Sequence, residues 1–432
     1  MCKNSIWHIT VPSLSREVKP YQQRYHTVGR TSMLKTSLAL SNLRGFTIVM
    51  VVAFHSCIAY LGSQPPSALP FNTPPYGWMA NPIVDSERWF GLDLFCAFQY
   101  VYLMHLMFFL SGLFVWPSLL RKGGMTFLYD RCVRLGAPFA VGVCLLMPVA
   151  YYPVYRVTAA DPSWSAFWSH WTALPFWPSG PLWFLSMLLA FNIAVVVFYF
   201  FAPRSIEFLG RLTVQAGPHP GRYALTLMVI SALAYMPLAT LFQPWQWVRF
   251  GPFAFQPSFT PPYVVYFFAG LGVGAGGFAR GLFEAHGPLA RQWFLWLAAT
   301  PAAFLVWIIP TALIVSRRGP PDLQIVADLG FAVSSATSCF ALIALFLRFA
   351  AVRRPMLGNL SEQAYGIYLI HYVFVIWLQY ALLGVALFAV IKAAIVFIGT
   401  LTLSWATSAV TIRIPLVKRL VSAKPRELVR ER

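Results

Sequence analysis

The stretch 43–55 reads LRGFTIVMVVAFH, with an arginine near one end of an apolar run and a histidine at the other. No Asp, Glu, Lys or Arg interrupts residues 45–62, so the run is long enough to cross a ~30 Å hydrocarbon core as an α-helix. At roughly 3.6 residues per turn, the spacing puts Arg44 and His55 on one helix face, ~16 Å apart along the axis. The stretch therefore predicts a transmembrane helix that carries a buried arginine–histidine pair.

The whole chain has the composition of a membrane protein. Of its 432 residues, 58% are hydrophobic and 10% are charged, whereas a soluble domain carries about 25% charged residues. The apolar runs are continuous rather than alternating, which indicates helices. We expect an all-α, polytopic integral membrane bundle of about ten transmembrane helices, at 42–62, 90–116, 135–154, 181–202, 223–243, 261–280, 292–315, 326–349, 363–382 and 384–411.

Basic residues set the predicted topology. The net charge is +19, and 26 of the 32 Lys and Arg fall in alternate connecting segments and tails, against five in the other segments. This is the positive-inside pattern, not the basic surface of a nucleic-acid-binding protein. It predicts cytosolic termini, with a disordered basic tail at 1–38, a transmembrane domain at 39–412 and a basic tail at 413–432. The six cysteines form no CxxC pair, so we expect no disulfide and no metal site.

Ionisable side chains inside spans are costly and mark candidate functional sites. His55 is expected near the bilayer midplane, where an imidazole can exchange protons, and Arg44 at the cytosolic entry, where an anionic ligand would arrive. The alternative is that His55 only bonds a neighbouring helix. Asp93, near the outer end of the second span, either orients His55 or pairs with Arg88 at the interface.

Further polar residues allow two interpretations each. Arg131 and Arg134 lie at the predicted cytosolic start of the third span, where they form either a phosphate clamp or ordinary positive-inside anchors. His371 is either a second proton-exchanging group or a structural hydrogen-bond donor. Ser111, beside a glycine, is more typical of close helix packing than of chemistry. Lys392 is predicted to be buried, without an assigned role.

Two compositional features complete the pattern. The predicted outer loops 63–89, 155–180 and 244–260 are rich in aromatic residues, as expected of an interfacial belt, of a platform for a sugar-like acceptor, or of both. GLGVGAGG at 270–277 imitates a dinucleotide-binding loop. It has no preceding strand, so we expect its small residues to mediate helix contact.

Five segments resemble, in order, the motifs of the acyltransferase 3 family of membrane proteins. The first, at 43–55, has the family's basic residue, ten others and a histidine; the rest are MFFLSGLFV at 107–115, RCVR at 131–134, GPLWFL at 180–185 and YGIYLIHYVF at 365–374. The resemblance covers roughly 40–412, and FFLSG, LWFL and YLIHY look most similar to the branch that contains glucan biosynthesis protein C. In one departure, Pro181 stands where many relatives have a histidine.

The resemblance implies an O-acyltransferase of the bacterial inner membrane with no bound cofactor. It would move an acyl group, such as acetyl, from cytosolic acyl-coenzyme A to a hydroxyl of an extracytoplasmic glycan or other sugar-containing acceptor. It implies that His55 is the base or acyl-handling residue, with Arg44 beside it, and that Arg131 and Arg134 hold the donor's phosphates. We keep Asp93 as the partner of His55. Other candidates are His371, Ser111 and Trp183.

A proton-coupled transporter, or a flippase of a lipid-linked or glycosidic substrate, is the alternative function. Buried Arg, His and Lys side chains fit that class as well. Against it, the sequence has no internal repeat and no pair of interrupted hydrophobic segments.

Overall fold

The computed structural model describes residues 30–277, 281–284, 287–320, 322–352 and 355–415, which are almost wholly helical. The helices are α1 Arg30–Cys57, α2 Phe90–Leu113, α3 Val115–Lys122, α4 Gly124–Arg131, α5 Ala137–Val141, α6 Met147–Thr158, α7 Trp164–Thr172, α8 Trp183–Phe201, α9 Pro203–Ala216, α10 Pro220–Leu241, α11 Thr260–Gly276, α12 Pro288–Arg291, α13 Trp293–Val315, α14 Leu323–Phe349, α15 Pro355–Ala381 and α16 Ala389–Thr411. Turns of 3₁₀-helix lie at Ile58–Tyr60, Gly77–Met79, Gly180–Leu182 and Gly281–Phe283. Two short strands, β1 Val248–Phe250 and β2 Phe253–Phe255, form an antiparallel hairpin.

The helices confirm the predicted polytopic membrane bundle. Within the described ranges, nine are long and apolar enough to cross a membrane, and α11 with the turns that follow it is a tenth candidate. Only 17% of the apolar window of α13 is buried inside the protein, against 72% for α14. The bundle therefore has α14 in its interior and α13 at its apolar periphery.

The third span differs most from its predicted bounds. Instead of 135–154, it runs over Gly124–Thr158 and contains two π-helical segments, Cys132–Gly136 and Gly142–Leu146. Pro138 and Pro148 follow these segments, and a proline has no N–H to give to the carbonyl four residues earlier, which favours a wider turn. Arg131 and Arg134 consequently lie inside the helical span rather than at its start.

The first span also begins earlier than predicted. α1 starts at Arg30, so residues 30–38 of the predicted N-terminal tail are helical. Residues 1–29 and 416–432, which make up the rest of the two predicted tails, lie outside the described residues.

One end of the bundle is marked by side-chain contacts that α15 makes with α1 and α16. Ser41 of α1 lies 2.7 Å from Ser361 of α15 (Oγ to Oγ), and Ser408 of α16 donates to Gln363 at 2.7 Å. We call this the terminal end, because the described chain begins and ends there. The opposite end, the long-loop end, carries residues 61–89, 159–182 and 242–259.

An ion pair inside the protein ties the first long loop to the last helix. Lys392, in the first turn of α16, donates to both carboxylate oxygens of Asp85 at 2.9 and 2.8 Å, and neither side chain is exposed. The Asp85 backbone N–H also donates to the Ala59 carbonyl at the end of α1. The pair gives Lys392 the role that the sequence left unassigned.

Glycines let α2 and α11 approach until their backbones touch. A Cβ on Gly270 would lie 2.0 Å from the Phe109 carbonyl oxygen, and one on Gly274 would lie 2.1 Å from that of Leu113. From the other side, a Cβ on Gly112 would lie 2.1 Å from the Phe267 oxygen. This confirms that the small residues of 270–277 mediate helix contact.

Substitution Lys392→Met is predicted to lower the free energy of unfolding by about 3–5 kcal/mol, because the Asp85 carboxylate would stay buried without its partner. The double variant Asp85→Asn/Lys392→Met should recover part of the loss. Thermal unfolding of the purified protein in detergent, followed by fluorescence, measures the effect. Lys122→Met is the matched control, since Lys122 pairs with Asp130 near the surface, where such a bond contributes at most about 1 kcal/mol. Equal losses in the two single variants would contradict the prediction.

Substitution Gly270→Leu is predicted to abolish the folded state, because its side chain would collide with the backbone of α2. The yield of monodisperse protein after gel filtration measures this. Gly221→Leu on α10 is the control, since a Cβ there meets no atom within 4 Å. A normal yield for the Gly270 variant would show that the α2–α11 contact is not required.

Candidate active site

His55 lies near the long-loop end of its span rather than near the middle. The span runs over Leu34–Tyr60. Its α-helix ends at Cys57, so His55 falls in the last helical turn. The His55 Nδ1 lies 2.8 Å from the Val51 carbonyl oxygen, which can only accept a hydrogen bond. In the neutral imidazole Nδ1 therefore carries the proton, and the lone pair of Nε2 is available as a base.

α15 brings a second histidine against the first. The ring centroids of His55 and His371 lie 5.2 Å apart, and those of His55 and Tyr372 lie 5.5 Å apart. His371 is fully buried, with Nδ1 on the Tyr368 carbonyl at 2.7 Å and no hydrogen-bond partner for Nε2 among the described residues. The structure thus joins two candidates that are 316 positions apart in the sequence.

Gln379 holds the end of α1 in register with α15. Its side-chain amide donates to the carbonyl oxygens of His55 at 2.9 Å and Ser56 at 3.3 Å. The last carbonyls of a helix have no partner within that helix, so a buried side-chain donor stabilises the helix end. This contact fixes the backbone on which the His55 ring is mounted.

A cavity opens beside His55 at the long-loop end. Its volume is about 170 Å³, and it is partly open to solvent. Side chains from several loops and helices form its walls, among them Tyr151, Trp177, Trp183, Trp247, Arg249 and Tyr372. The cavity is therefore a chamber with a large aromatic share in its wall and the His55 imidazole at its edge, which suits a ligand with an apolar face and a few polar groups.

The GPLW segment closes the chamber on the α15 side. Gly180 has φ +49°, and a Cβ there would approach the Tyr151 hydroxyl and the Tyr372 ring. Tyr368 donates to the Pro181 carbonyl, so the backbone of residue 181 is held although its side chain carries no donor. The two tyrosines behind Gly180, Tyr151 and Tyr372, lie 3.3 Å apart between their hydroxyl oxygens.

The basic candidates lie toward the terminal end. Next to Arg44, a Cβ on Gly45 would lie 3.3 Å from the Ser361 Cα, so α1 and α15 are close at this level. One turn further along α15, the Tyr365 hydroxyl donates to the Arg134 carbonyl. Pro138 cannot donate to that carbonyl, so the tyrosine takes its place. At ~1.5 Å per residue, the six residues from Tyr365 to His371 separate the two levels by about 9 Å.

Arg44 and Arg131 differ in their surroundings. The uninterrupted α1 keeps Arg44 and His55 on one face, as predicted, with Arg44 exposed and His55 partly buried. The Arg131 guanidinium lies 4.7 Å from the centre of the Phe127 ring. The sequence predicted that Arg131 and Arg134 share one face of an α-helix. The wider π turn that follows Arg131 moves Arg134 away from that face.

The structure does not bring Asp93 to His55. Its two carboxylate oxygens accept the backbone N–H groups of Gly62, at 2.6 Å, and Ser63, at 3.0 Å. Asp93 thus holds the start of the first long loop, and Arg88, its other proposed partner, donates to backbone carbonyls instead. Each oxygen of the Asp93 carboxylate therefore accepts one backbone N–H of this loop.

The other candidates divide between packing and the cavity. Ser111 donates to the Met107 carbonyl of its own helix at 2.8 Å, next to the Gly112 contact with α11. Trp183 lines the cavity and packs edge-on against Trp247, with 5.4 Å between ring centroids.

Sequence reasoning missed the partners that come from distant segments. Gln379 is 324 positions from His55, and Asp85 is 307 positions from Lys392. No local sequence pattern connects either pair. Tyr372 stands directly after His371 in a recognised motif, so its position was a usable signal. Among the described residues, no group of three His, Cys, Asp or Glu could hold a metal ion.

A comparison with protein-family models identifies the family of this chain. Residues 37–409 match the acyltransferase 3 family model, which is described as an acyltransferase domain. Comparison with curated proteins and with solved structures gave no match. Since the matched range covers most of the chain, and includes both histidines and all three arginines of the site, this chain belongs to the acyltransferase 3 family and is a membrane acyltransferase.

Proposed function

We propose that this acyltransferase moves an acetyl or other acyl group from cytosolic acyl-coenzyme A to a hydroxyl of an extracytoplasmic glycan or other sugar-containing acceptor. The observation that carries the proposal is the His55 imidazole, which lines an aromatic cavity and has its Nδ1 on the Val51 carbonyl. Aromatic side chains in the wall suit the face of a sugar ring. The lone pair of His55 Nε2 can accept the proton of the sugar hydroxyl that reacts.

In the proposed reaction, the acceptor oxygen attacks the thioester carbonyl carbon while its proton passes to Nε2 of His55. The C–S bond breaks as the tetrahedral intermediate collapses, and the coenzyme A thiolate takes the proton from the imidazolium. His55 returns to its neutral form. The Val51 carbonyl stabilises the transient positive charge through Nδ1–H.

The donor is proposed to enter from the terminal end. Arg131 and Arg134 would bind its phosphates, with Arg44 beside the path toward His55. Among the described residues, no carboxylate forms an ion pair with these arginines, and Asp130 is paired with Lys122. Guanidinium groups that form no ion pair with a carboxylate suit phosphate, which they bind through two hydrogen bonds.

The topology of the proposal rests on charge. With 26 basic residues in one set of segments and five in the other, the terminal end is assigned to the cytosol and the long-loop end to the opposite side. We infer a multi-pass protein of the bacterial inner membrane with both termini in the cytosol.

Substitution His55→Ala is predicted to lower acyl transfer by about 100-fold or more, since general base catalysis contributes at least that factor. Inverted membrane vesicles given labelled acetyl-coenzyme A, with label counted in the glycan fraction, measure it. His219→Ala, at an exposed histidine between α9 and α10, is the matched control. Full transfer by the His55 variant would contradict the proposal, and glycoside flux without an acyl donor would favour a transporter.

Substitutions Arg131→Gln and Arg134→Gln are each predicted to raise the KM for acetyl-coenzyme A about tenfold or more, with a smaller change in kcat, because each removes charged hydrogen bonds to the bound donor. The effect of at least one should shrink with acetyl-dephospho-coenzyme A, which lacks the 3′-phosphate. Arg222→Gln, at an exposed arginine of α10, serves as control. An unchanged KM in both variants would remove the arginines from the donor site.

A further inference from the structure

Arg249 faces the cavity without a carboxylate partner. It lies on β1, is about half-buried, and lines the cavity that His55 also lines. Its guanidinium lies 5.5 Å from the centre of the Phe176 ring. The ion pairs among the described residues are Lys122–Asp130 and Lys392–Asp85, so no carboxylate of the described chain forms an ion pair with Arg249.

Partial burial makes that charge costly. Desolvation lowers the pKa of Arg249 from its ordinary value, an effect that the nearby Tyr151 hydroxyl opposes. An arginine side chain remains protonated in proteins, so the charge is retained rather than lost. A partly desolvated cation in a cavity gains most from an anion carried by a ligand.

Ser179 supplies a second, independent polar group at the same cavity. It is 3% exposed, it lines the cavity, and its Oγ has no hydrogen-bond partner among the described residues. Because this hydroxyl lies at the cavity wall and has no protein partner among the described residues, it is free to donate to a ligand.

The backbone holds these two groups in one frame. Trp177, two residues before Ser179, donates its N–H to the Gly251 carbonyl at the tip of the hairpin, at 2.9 Å. Arg249 of β1 lies directly opposite Ala254 of β2 in the hairpin. The serine and the arginine are therefore carried by two segments that are bonded to each other, which suits a preorganised binding site.

We propose that Arg249 and Ser179 form an oxyanion subsite that binds a carboxylate or phosphate group carried by the acceptor. The substrate class is then an acidic sugar, either a uronic acid or a sugar phosphate, rather than a neutral one. An arginine matches both groups through two parallel hydrogen bonds, and the serine hydroxyl donates one more. That this ligand is the acyl acceptor rests on the proposed function; the anion site itself does not.

Binding of acidic sugars without any acyl donor tests the subsite. The full chain in lipid nanodiscs is titrated with glucuronate, glucose 1-phosphate and glucose, and tryptophan fluorescence reports occupancy beside Trp177 and Trp247. At least one acidic sugar should bind, and glucose more weakly. Binding of glucuronate alone identifies a carboxylate ligand, and binding of glucose 1-phosphate alone identifies a phosphate ligand. Equal binding of all three sugars would overturn the proposal, as would binding of none.

Variants locate the binding. Arg249→Gln should weaken it about tenfold to hundredfold, the range expected for a charged hydrogen bond. Arg249→Lys, which keeps the charge, should lose less. Ser179→Ala should weaken it severalfold without lowering the melting temperature. Arg318→Gln is the matched control, because Arg318 is an exposed arginine at the turn between α13 and α14, at the same end of the bundle.

The outcomes separate this proposal from the proposed function. Unchanged affinity in folded Arg249→Gln and Ser179→Ala variants would refute the subsite, whatever the transfer activity. If Arg249→Gln does not fold, Arg249→Lys and Ser179→Ala carry the same test. Acidic sugars that bind normally to a chain without transfer activity would contradict only the proposed function.

Discussion

The contact of α1 with α15 is the interaction on which the candidate site depends. Ser41 meets Ser361 at the terminal end, and Gln379 holds the carbonyl of His55 at the other end. Next to the second contact, the rings of His55 and His371 lie side by side, with 5.2 Å between their centroids. Because the two helices are joined at both ends, a shift of either would move the imidazole relative to the cavity wall. The position of the His55 imidazole is thus set by register between helices, while loops supply much of the cavity wall.

Backbone carbonyls, rather than acidic side chains, orient both histidines. Val51 and Tyr368 each accept from an Nδ1. An ionised carboxylate at such a depth would need its own compensation, whereas a helix carbonyl is neutral and already in place. Asp93 is used elsewhere, on the backbone of the first long loop. A histidine oriented in this way needs no third side chain to fix its tautomer.

Local pattern was sufficient for the helices and for single candidates, but not for their partners. Hydropathy and charge predicted the polytopic bundle, and helix periodicity correctly put Arg44 and His55 on one face. The 5.2 Å approach of His55 to His371 depends on tertiary packing, which spacing along the chain does not reveal. The third span was predicted too short because its arginines resembled an interface, although Tyr365 and the π turns accommodate them inside the helix.

The Asp85–Lys392 pair also has a consequence for the order of assembly. Its partners are 307 positions apart, one in the first long loop and the other in the last helix. Met79, Ala80 and Pro82, close to Asp85 in the chain, belong to the cavity wall. During synthesis the Asp85–Lys392 bond cannot form until the start of α16 has emerged and been inserted. This part of the cavity wall is therefore fixed only after the helices that carry His55, His371 and Tyr372 have been made.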